Sequence, residues 1–181
     1  MSGWAVVAVL TVSVLVVASA LGWALPRHSR FSLLVGAALG TGLGALGLVA
    51  VLHGEVTTSG GVVAAALLVD LFVIAAAGGG PLTATVLALV DRGAAGQRRS
   101  EHAEEVLRGG AWIGVLERAA VAGTLLADWP EGLAIVLAVK GLGRYNELRE
   151  TPAASERFIL GTLASALWAA ACVGVAVLIR A

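Results

Sequence analysis

The sequence contains few charged or otherwise reactive side chains. Only 13% of its 181 residues are charged, the net charge is zero, and there is one cysteine, one methionine and one tyrosine. A single cysteine excludes an internal disulfide, and the balanced charge gives no reason to expect a nucleic acid partner. The sequence contains no Walker loop, HExxH motif, DxxD motif or nucleophile elbow. It therefore predicts no metal and no cofactor, and a protein that is not an enzyme is favoured.

The rest of the sequence is strongly apolar. Hydrophobic residues make up 59% of the chain and the mean hydropathy is +0.93, which lies outside the range of soluble globular domains. Several runs approach or exceed the roughly 20 residues that cross a hydrocarbon core about 30 Å thick. None of them shows the alternation of a membrane barrel strand. The sequence therefore predicts an all-α, polytopic transmembrane helical bundle.

The apolar runs predict about six spans and one short interfacial helix. The interfacial helix is expected at residues 81–91, because three glycines followed by Pro81 should end the helix of the third span. The chain then divides into an N-terminal Gly/Ala-rich part at 1–90, a cytoplasmic linker at 91–108 and a C-terminal three-helix unit at 109–181. The spans themselves are predicted at residues 4–25, 33–52, 61–77, 109–127, 132–148 and 153–179.

The arginines alternate between the loops. Arg27 and Arg30 follow the first span, four arginines lie in the linker, and Arg149 and Arg157 border the last loop, whereas the second and fourth loops contain no Lys or Arg. The positive-inside rule places the arginine-containing loops in the cytoplasm and both termini outside it. Because no Lys or Arg precedes the first apolar run, we interpret this run as a span and not as a cleaved signal sequence.

Four charged side chains are predicted to share one depth. The fourth and fifth spans are joined by a short loop, so they should form an antiparallel hairpin. Counting from that loop places Glu117, Arg118 and Lys140 roughly 13–15 Å deep, and Asp70 on the third span reaches the same depth. An unpaired charge there costs at least ~2.5–3.5 kcal/mol. Neighbours on a helix point about 100° apart, so we predict two ion pairs, Glu117 with Lys140 and Arg118 with Asp70.

This charge layer has two interpretations. The ion pairs either fix helix register alone, or they form a polar site for a substrate, an ion or a proton. Lys140 is the only lysine beside eleven arginines, and a buried lysine can lose its proton whereas an arginine in practice cannot. This difference favours the functional interpretation.

A polar stripe is predicted to lead from Lys140 to the cytoplasmic surface, because Arg144 and Glu147 follow it at i+4 and i+7 on the predicted fifth helix. The stripe is interpreted as a proton or ion path, as a site for an anionic lipid headgroup, or as a solvated helix end. It ends in a cytoplasmic polar cluster formed by Arg144, Glu147, Arg149, Glu156 and Arg157.

Small residues recur at helical spacing on two of the predicted spans. Gly36, Gly40 and Gly44 repeat every four residues, which forms a glycine zipper that lets another backbone approach closely. Gly161 and Ser165 begin a weaker row of the same kind on the last span. The partner of these faces is either another helix of the same chain or a second copy, and the spacing does not decide between them.

Three segments lie in a fixed order between Arg108 and Val173: GGAWIGVLERAAVAG, EGLAIVLAVKGLGRYNEL and SERFILGTLASALWAA. They resemble the C-terminal part of a family of uncharacterised bacterial, actinobacterial-type, multi-pass integral membrane proteins. The resemblance covers about 65 of the 181 residues. It implies a bacterial inner membrane and a unit made of the hairpin and the last span, and it implies no activity. It also implies one shared motif, formed by Glu117, Arg118, Lys140, Arg144, Glu147, Glu156 and Arg157.

The function predicted from the sequence is a multi-pass inner-membrane protein organised around the charge layer, acting as an assembly partner or as a small transporter. Its expected partners are membrane lipids, including anionic lipids, and either a second copy or another membrane protein. The alternative is a membrane-embedded enzyme that acts on a lipid or polyprenyl phosphate at the cytoplasmic face. In that case the arginines of the polar cluster hold the phosphates and a carboxylate acts as base or metal ligand.

Overall fold

The computed structural model describes residues 11–19, 30–53, 61–93, 103–150 and 152–180, and these are helical except for short turns. The predicted all-α class is confirmed for these residues. The helices are α1 (residues 11–19), α2 (Arg30–His53), α3 (Gly61–Gly93), α4 (Ala103–Leu126), α5 (Pro130–Gly143), α6 (Tyr145–Glu150) and α7 (Pro152–Arg180).

Two of these helices are long and apolar enough to cross a membrane. The stretches are Leu67–Val90 in α3 and Ser155–Leu178 in α7, each 24 residues long, and a shorter apolar stretch is present in α2 at Leu34–Leu46. Only 33% of the apolar window in either long stretch is buried inside the bundle, so most of its residues face outward. This indicates association with a membrane, while the described helices meet the length and composition of a span twice and not six times.

Helix α3 continues through the glycines and Pro81, so the prediction of a break and a separate interfacial helix at 81–91 is wrong. Proline removes one backbone donor and crowds the preceding turn. Side chains of α4 and α7 bond to α3 just before that turn: Arg118 Nε donates to Ala76 O at 2.7 Å and Trp168 Nε1 donates to Ile74 O at 3.1 Å. Packing of this kind against neighbouring helices helps a helix to continue through a proline.

The predicted helical hairpin is confirmed for α4 and α5. Helix α4 ends at Leu126 and α5 begins at Pro130, where proline suits the first turn because its missing N–H would have no helical partner. The turn is closed by the backbone of Trp129, whose N–H donates to Thr124 O at 2.9 Å, and Asp128 takes a left-handed φ of 53°. A Cβ on Gly132 would lie 2.6 Å from Thr124 Cγ2, so this position requires glycine.

The fifth helix is shorter than predicted. Helix α5 ends at Gly143 and Arg144 caps it with φ −113° and ψ 8°, after which α6 begins as a separate helix. Gly141 and Gly143 weaken the last turn because glycine loses more conformational freedom in a helix than other residues do. The predicted continuous helix at 132–148 is therefore wrong. Lys140 does not share one helical stripe with Arg144 and Glu147.

The predicted linker at 91–108 is partly helical, since residues 91–93 belong to α3 and 103–108 belong to α4. The rest of the linker lies outside the described residues, as do Arg27, Arg98 and Arg99 of the loops used for orientation. The last predicted span agrees closely with α7, which begins at Pro152. Ser155 Oγ donates to Leu148 O at 2.7 Å and joins α6 to the start of α7.

Helices α3 and α7 form the centre of the bundle. Both pack against each other and against α2 and α4, whereas α5 packs mainly on α4. The core between them contains fully buried side chains, among them Leu71, Ile74 and Cys172, so the cysteine is a small core residue.

The glycine zipper of α2 packs partly within the chain. A Cβ on Gly36 would lie 3.0 Å from Pro81 O, and a Cβ on Gly40 would lie 3.5 Å from Leu82 Cδ1, so these two glycines face α3. A Cβ on Gly44 would meet nothing within 4 Å. Of the two partners left open by the sequence, the structure therefore shows a helix of the same chain for Gly36 and Gly40.

Candidate functional site

The predicted ion pair across the hairpin is confirmed. Lys140 Nζ on α5 donates to Glu117 Oε2 on α4, and the two side chains remain 19% and 20% exposed. The ring of Phe158 on α7 lies near the ammonium, with its centroid 5.9 Å from Nζ, which is within the range of a cation–π contact. We call Glu117, Lys140 and Phe158 the Lys140 pair; it joins α4, α5 and α7 at the edge of the bundle.

Arg118 points into the bundle instead. Its side chain is only 4% exposed. Nε donates to Ala76 O of α3 at 2.7 Å, and Nη1 makes a long contact of 3.5 Å with Ser165 Oγ of α7. The predicted ion pair between Arg118 and Asp70 is therefore wrong. Asp70 lies partly buried on α3, six residues before Ala76.

Two glycines of α3 explain the position of the Arg118 side chain. A Cβ on Gly79 would collide with Arg118 Cδ, and it would lie 2.7 Å from Nε and 2.9 Å from Trp168 Cδ1. A Cβ on Gly78 would lie 2.9 Å from Trp168 Cζ2. The absence of side chains here lets a guanidinium and an indole lie against the α3 backbone and reach its carbonyls. We call this set, formed by Gly78, Gly79, Arg118, Ser165 and Trp168, the Arg118 junction.

Sequence reasoning missed three members of the Arg118 junction. Gly78 and Gly79 were interpreted as helix breakers, and Trp168 received no role. Their signal is present in retrospect, because a glycine cluster beside a large apolar run permits close approach as well as a break. A backbone carbonyl as the partner of Arg118 has no sequence signal, since every residue carries one.

The four charges of the predicted layer sum to zero, but they are not equivalent. Glu117 and Lys140 neutralise each other at the bundle edge, whereas Arg118 depends on neutral carbonyl and hydroxyl acceptors. A guanidinium has five N–H donors in a rigid fork and can bridge two helices in this way. The arrangement can fix the register of α3, α4 and α7, whereas the Lys140 pair, like Asp70, stays partly exposed.

The predicted cytoplasmic polar cluster lies where α5, α6 and α7 meet. The side chains of Arg144 and Arg149 are exposed there, as are those of Glu156 and Arg157, while the side chain of Glu147 lies outside the described residues. Residues 144–157 contain three arginines and three glutamates, so this end carries no net positive charge for a phosphate. Among the described residues, no group of three or more His, Cys, Asp or Glu could hold a metal ion.

The chain matches no protein-family model, no curated protein and no solved structure. The resemblance of residues 108–173 to bacterial multi-pass membrane proteins stays a prediction. The two sets of contacts around Arg118 and Lys140 therefore carry the functional interpretation.

Proposed function

We propose that the protein is a multi-pass bacterial inner-membrane protein that acts as an assembly partner and binds another membrane-embedded chain through the α4–α5 hairpin. The observation that carries this proposal is the Lys140 pair, which keeps about one fifth of each charged side chain exposed. Charged groups that face acyl chains are costly. A polypeptide covering the hairpin would remove that cost.

Helix α5 has little cover in the bundle. Of its 14 residues, Gly132 is the one that is buried. Ile135, Val139 and Leu142 expose 54%, 64% and 74% of their surface and share one face at spacings of four and three residues. At 1.5 Å per residue the helix is only about 21 Å long. A short helix held by one neighbour gains stability from a second, because helix association in lipid depends on close packing and interhelical polar contacts.

The wider topology is part of the same proposal. Large apolar side chains also point outward on helices other than the two long candidate spans, for example Val14 on α1, Leu34 on α2 and Leu116 on α4. Soluble proteins rarely expose contiguous apolar surface on this scale. This pattern supports further membrane crossings beside α3 and α7; the orientation, with arginine-containing loops in the cytoplasm and both termini outside, rests on the arginine distribution alone.

A photo-reactive amino acid at position 135 tests the assembly role in native membranes. The same amino acid at Val69, which is 62% exposed on α3, provides the control, because it faces outward beside Asp70 at the same predicted depth. Position 135 should give one covalent adduct of defined mass, and position 69 should give none. Failure of position 135 to cross-link to any polypeptide would contradict the proposal.

A second function, small-ion or proton transport, is favoured by one observation. Helix α5 is interrupted at Arg144, close to the open Lys140 pair, and interrupted helices with polar residues line the sites of many transporters. Purified protein in liposomes should then carry a flux that Lys140→Met abolishes and that the exposed-site variant Arg149→Gln leaves intact. Wild-type flux equal to that of protein-free vesicles would exclude transport.

A further inference from the structure

The Arg118 junction and the hydroxyls beside it supply more hydrogen-bond donors than acceptors. We infer that this part of the bundle binds one small monovalent anion of the halide class between α3, α4 and α7. The guanidinium of Arg118 and the hydroxyls of Thr83, Thr162 and Ser165 hold it. The inference concerns the interior of the bundle and goes beyond the proposed assembly function, which concerns its edge.

The buried charge of Arg118 is not balanced by a carboxylate. Its side chain is 4% exposed, and among the described residues its acceptors are Ala76 O and Ser165 Oγ, which are neutral. The neighbouring carboxylate, Glu117, pairs with Lys140. Charges at membrane depth are costly, and membrane proteins usually pair them. A bound monovalent anion balances the arginine, whereas a divalent anion would leave one excess negative charge.

The donors of the guanidinium are only partly used. A guanidinium carries five N–H groups and no acceptor. To the described residues Arg118 makes one short bond, from Nε at 2.7 Å, and one long contact, from Nη1 at 3.5 Å. Because Ser165 accepts from Nη1, its own hydrogen is available to a ligand. A ligand that completes this set must therefore be an acceptor.

Two hydroxyls near the Arg118 junction have no partner within the described residues. Thr83 Oγ1 and Thr162 Oγ1 are both buried atoms of this kind. A buried hydroxyl normally has a partner, and on a helix this is often a carbonyl of the preceding turn. Other hydroxyls of the bundle donate to such a carbonyl on their own helix: Ser19, Thr41, Thr85 and Thr124. The two exceptions lie close to a buried cation, which points to a ligand shared with it.

The packing of α3 against α7 places these two hydroxyls at one level. A Cβ on Gly79 would lie 2.9 Å from Trp168 Cδ1, whereas a Cβ on Gly161 would lie 3.8 Å from Thr83 Cγ2. Residue numbers rise along α3 as they fall along α7, so the two helices are antiparallel. Thr83 therefore lies at the level of Gly161 and of its neighbour Thr162.

This level is about one helical turn from the arginine. Thr83 follows Gly79, which lies against the Arg118 side chain, by four residues, and Thr162 precedes Ser165 by three. One turn is about 5.4 Å, and two hydrogen bonds of about 3 Å each span that distance. One ligand can therefore accept from the guanidinium and from the hydroxyls.

Bromide quenching of Trp168 fluorescence tests the inference directly, because a heavy halide quenches an indole that it touches. Trp168 is 4% exposed and lies beside Arg118 at Gly79. A variant in which the other four tryptophans are replaced by phenylalanine reports Trp168 alone: Trp4→Phe, Trp23→Phe, Trp112→Phe and Trp129→Phe. Sodium bromide replaces sodium gluconate at constant ionic strength.

The expected result is quenching of Trp168 that saturates with bromide and that chloride reverses. The control is the matched variant that retains Trp112 instead, since this side chain is 68% exposed and should show only unsaturated, collisional quenching. If Trp168 is not quenched, as expected if water alone satisfied these donors, or if its quenching does not saturate, the inference is overturned.

Substitutions in the same single-tryptophan protein identify the donors. Arg118→Met should abolish the saturating response, and Thr162→Val should weaken bromide binding about tenfold, because a hydrogen bond to a charged group is lost. Thr85→Val is the matched control, since that hydroxyl donates to Pro81 O on its own helix, and it should leave the affinity unchanged. Unchanged affinity in Arg118→Met or in Thr162→Val, or an equal loss in both threonine variants, would overturn the inference. If Arg118→Met does not elute as a folded protein, the two threonine variants decide.

Discussion

Glu117 and Arg118 are adjacent on α4, yet their surroundings are opposite. Arg118 is sealed between α3 and α7 and bonds to neutral acceptors, whereas Glu117 faces α5 and pairs with a lysine that remains partly exposed. The difference follows from the turn of about 100° between neighbouring helical residues. Arg118 stabilises the bundle from inside, whereas Glu117 lies at its edge, where a partner chain could contact it.

Substitutions in the Arg118 junction should lower the free energy of unfolding more than substitutions in the Lys140 pair. Arg118→Lys should have the largest effect. Lysine keeps the charge but loses the planar fork, so a single ammonium cannot bond to Ala76 O and reach Ser165 as the guanidinium does. We expect a loss of about 3–5 kcal/mol in the free energy of unfolding, because a buried charge is left without adequate partners. Reversible unfolding in mixed micelles measures this loss.

The control for that measurement is Arg118→Met, which removes the charge together with its need for partners. It should cost less than Arg118→Lys, because the Ala76 carbonyl stays in a helix where a backbone N–H can serve it. Equal stability of the lysine variant and the wild type would show that the fork does not organise the junction.

The next largest effect is expected at the glycines that admit Arg118. A methyl group at Gly79 would collide with the arginine side chain and displace its Nε from Ala76 O. We expect Gly79→Ala to cost about 2 kcal/mol, since overpacking and a lost buried hydrogen bond outweigh the better helix propensity of alanine. Gly44→Ala is the matched control, because nothing lies within 4 Å of a Cβ there. It should leave stability unchanged or raise it, and similar losses in both variants would contradict the role of Gly79.

A smaller loss is expected for Trp168→Phe. Phenylalanine keeps an aromatic ring in the space beside Gly78 but removes the Nε1 donor to Ile74 O, which lies 3.1 Å away. One neutral hydrogen bond contributes about 1 kcal/mol. The unfolding assay should show a loss of that size, and Trp112→Phe, at a side chain that is 68% exposed, should change stability less.

These contacts also show which parts of the fold were predictable. The Glu117–Lys140 pair could be predicted because a short loop fixes the depth of residues on both sides of a hairpin, and opposite charges at one depth have few alternatives. The hairpin itself followed from the short length of that loop. Both predictions used relations within one hairpin, where distance along the chain determines distance in space.

The wrong predictions share a different cause. The break at Pro81 and the Arg118–Asp70 pair were both inferred from the sequence around each residue. In the structure α3 continues through Pro81 while it packs against α2, α4 and α7, and Arg118 bonds to an α3 carbonyl instead of Asp70. The early end of α5 did have a local signal in Gly141 and Gly143, but the polar residues that follow them at helical spacing made one longer helix equally consistent with the sequence. Helix-breaking tendencies are outweighed when neighbouring helices supply packing and hydrogen bonds.

The Lys140 pair should show the smallest effect on the stability of one protomer. Lys140→Met removes a partly exposed ion pair and a cation–π contact with Phe158, which together contribute about 1 kcal/mol or less. Its effect on binding of the membrane-embedded partner proposed for the hairpin should be larger, because Glu117 would be left at the edge of the bundle without a base. A variant that unfolds like the wild type but no longer gives the cross-linked adduct from position 135 would separate the two regions. If Lys140→Met instead lowered the free energy of unfolding as much as Arg118→Lys, Lys140 would have the same structural role as the buried Arg118. The Lys140 pair would then have no separate role in binding a partner.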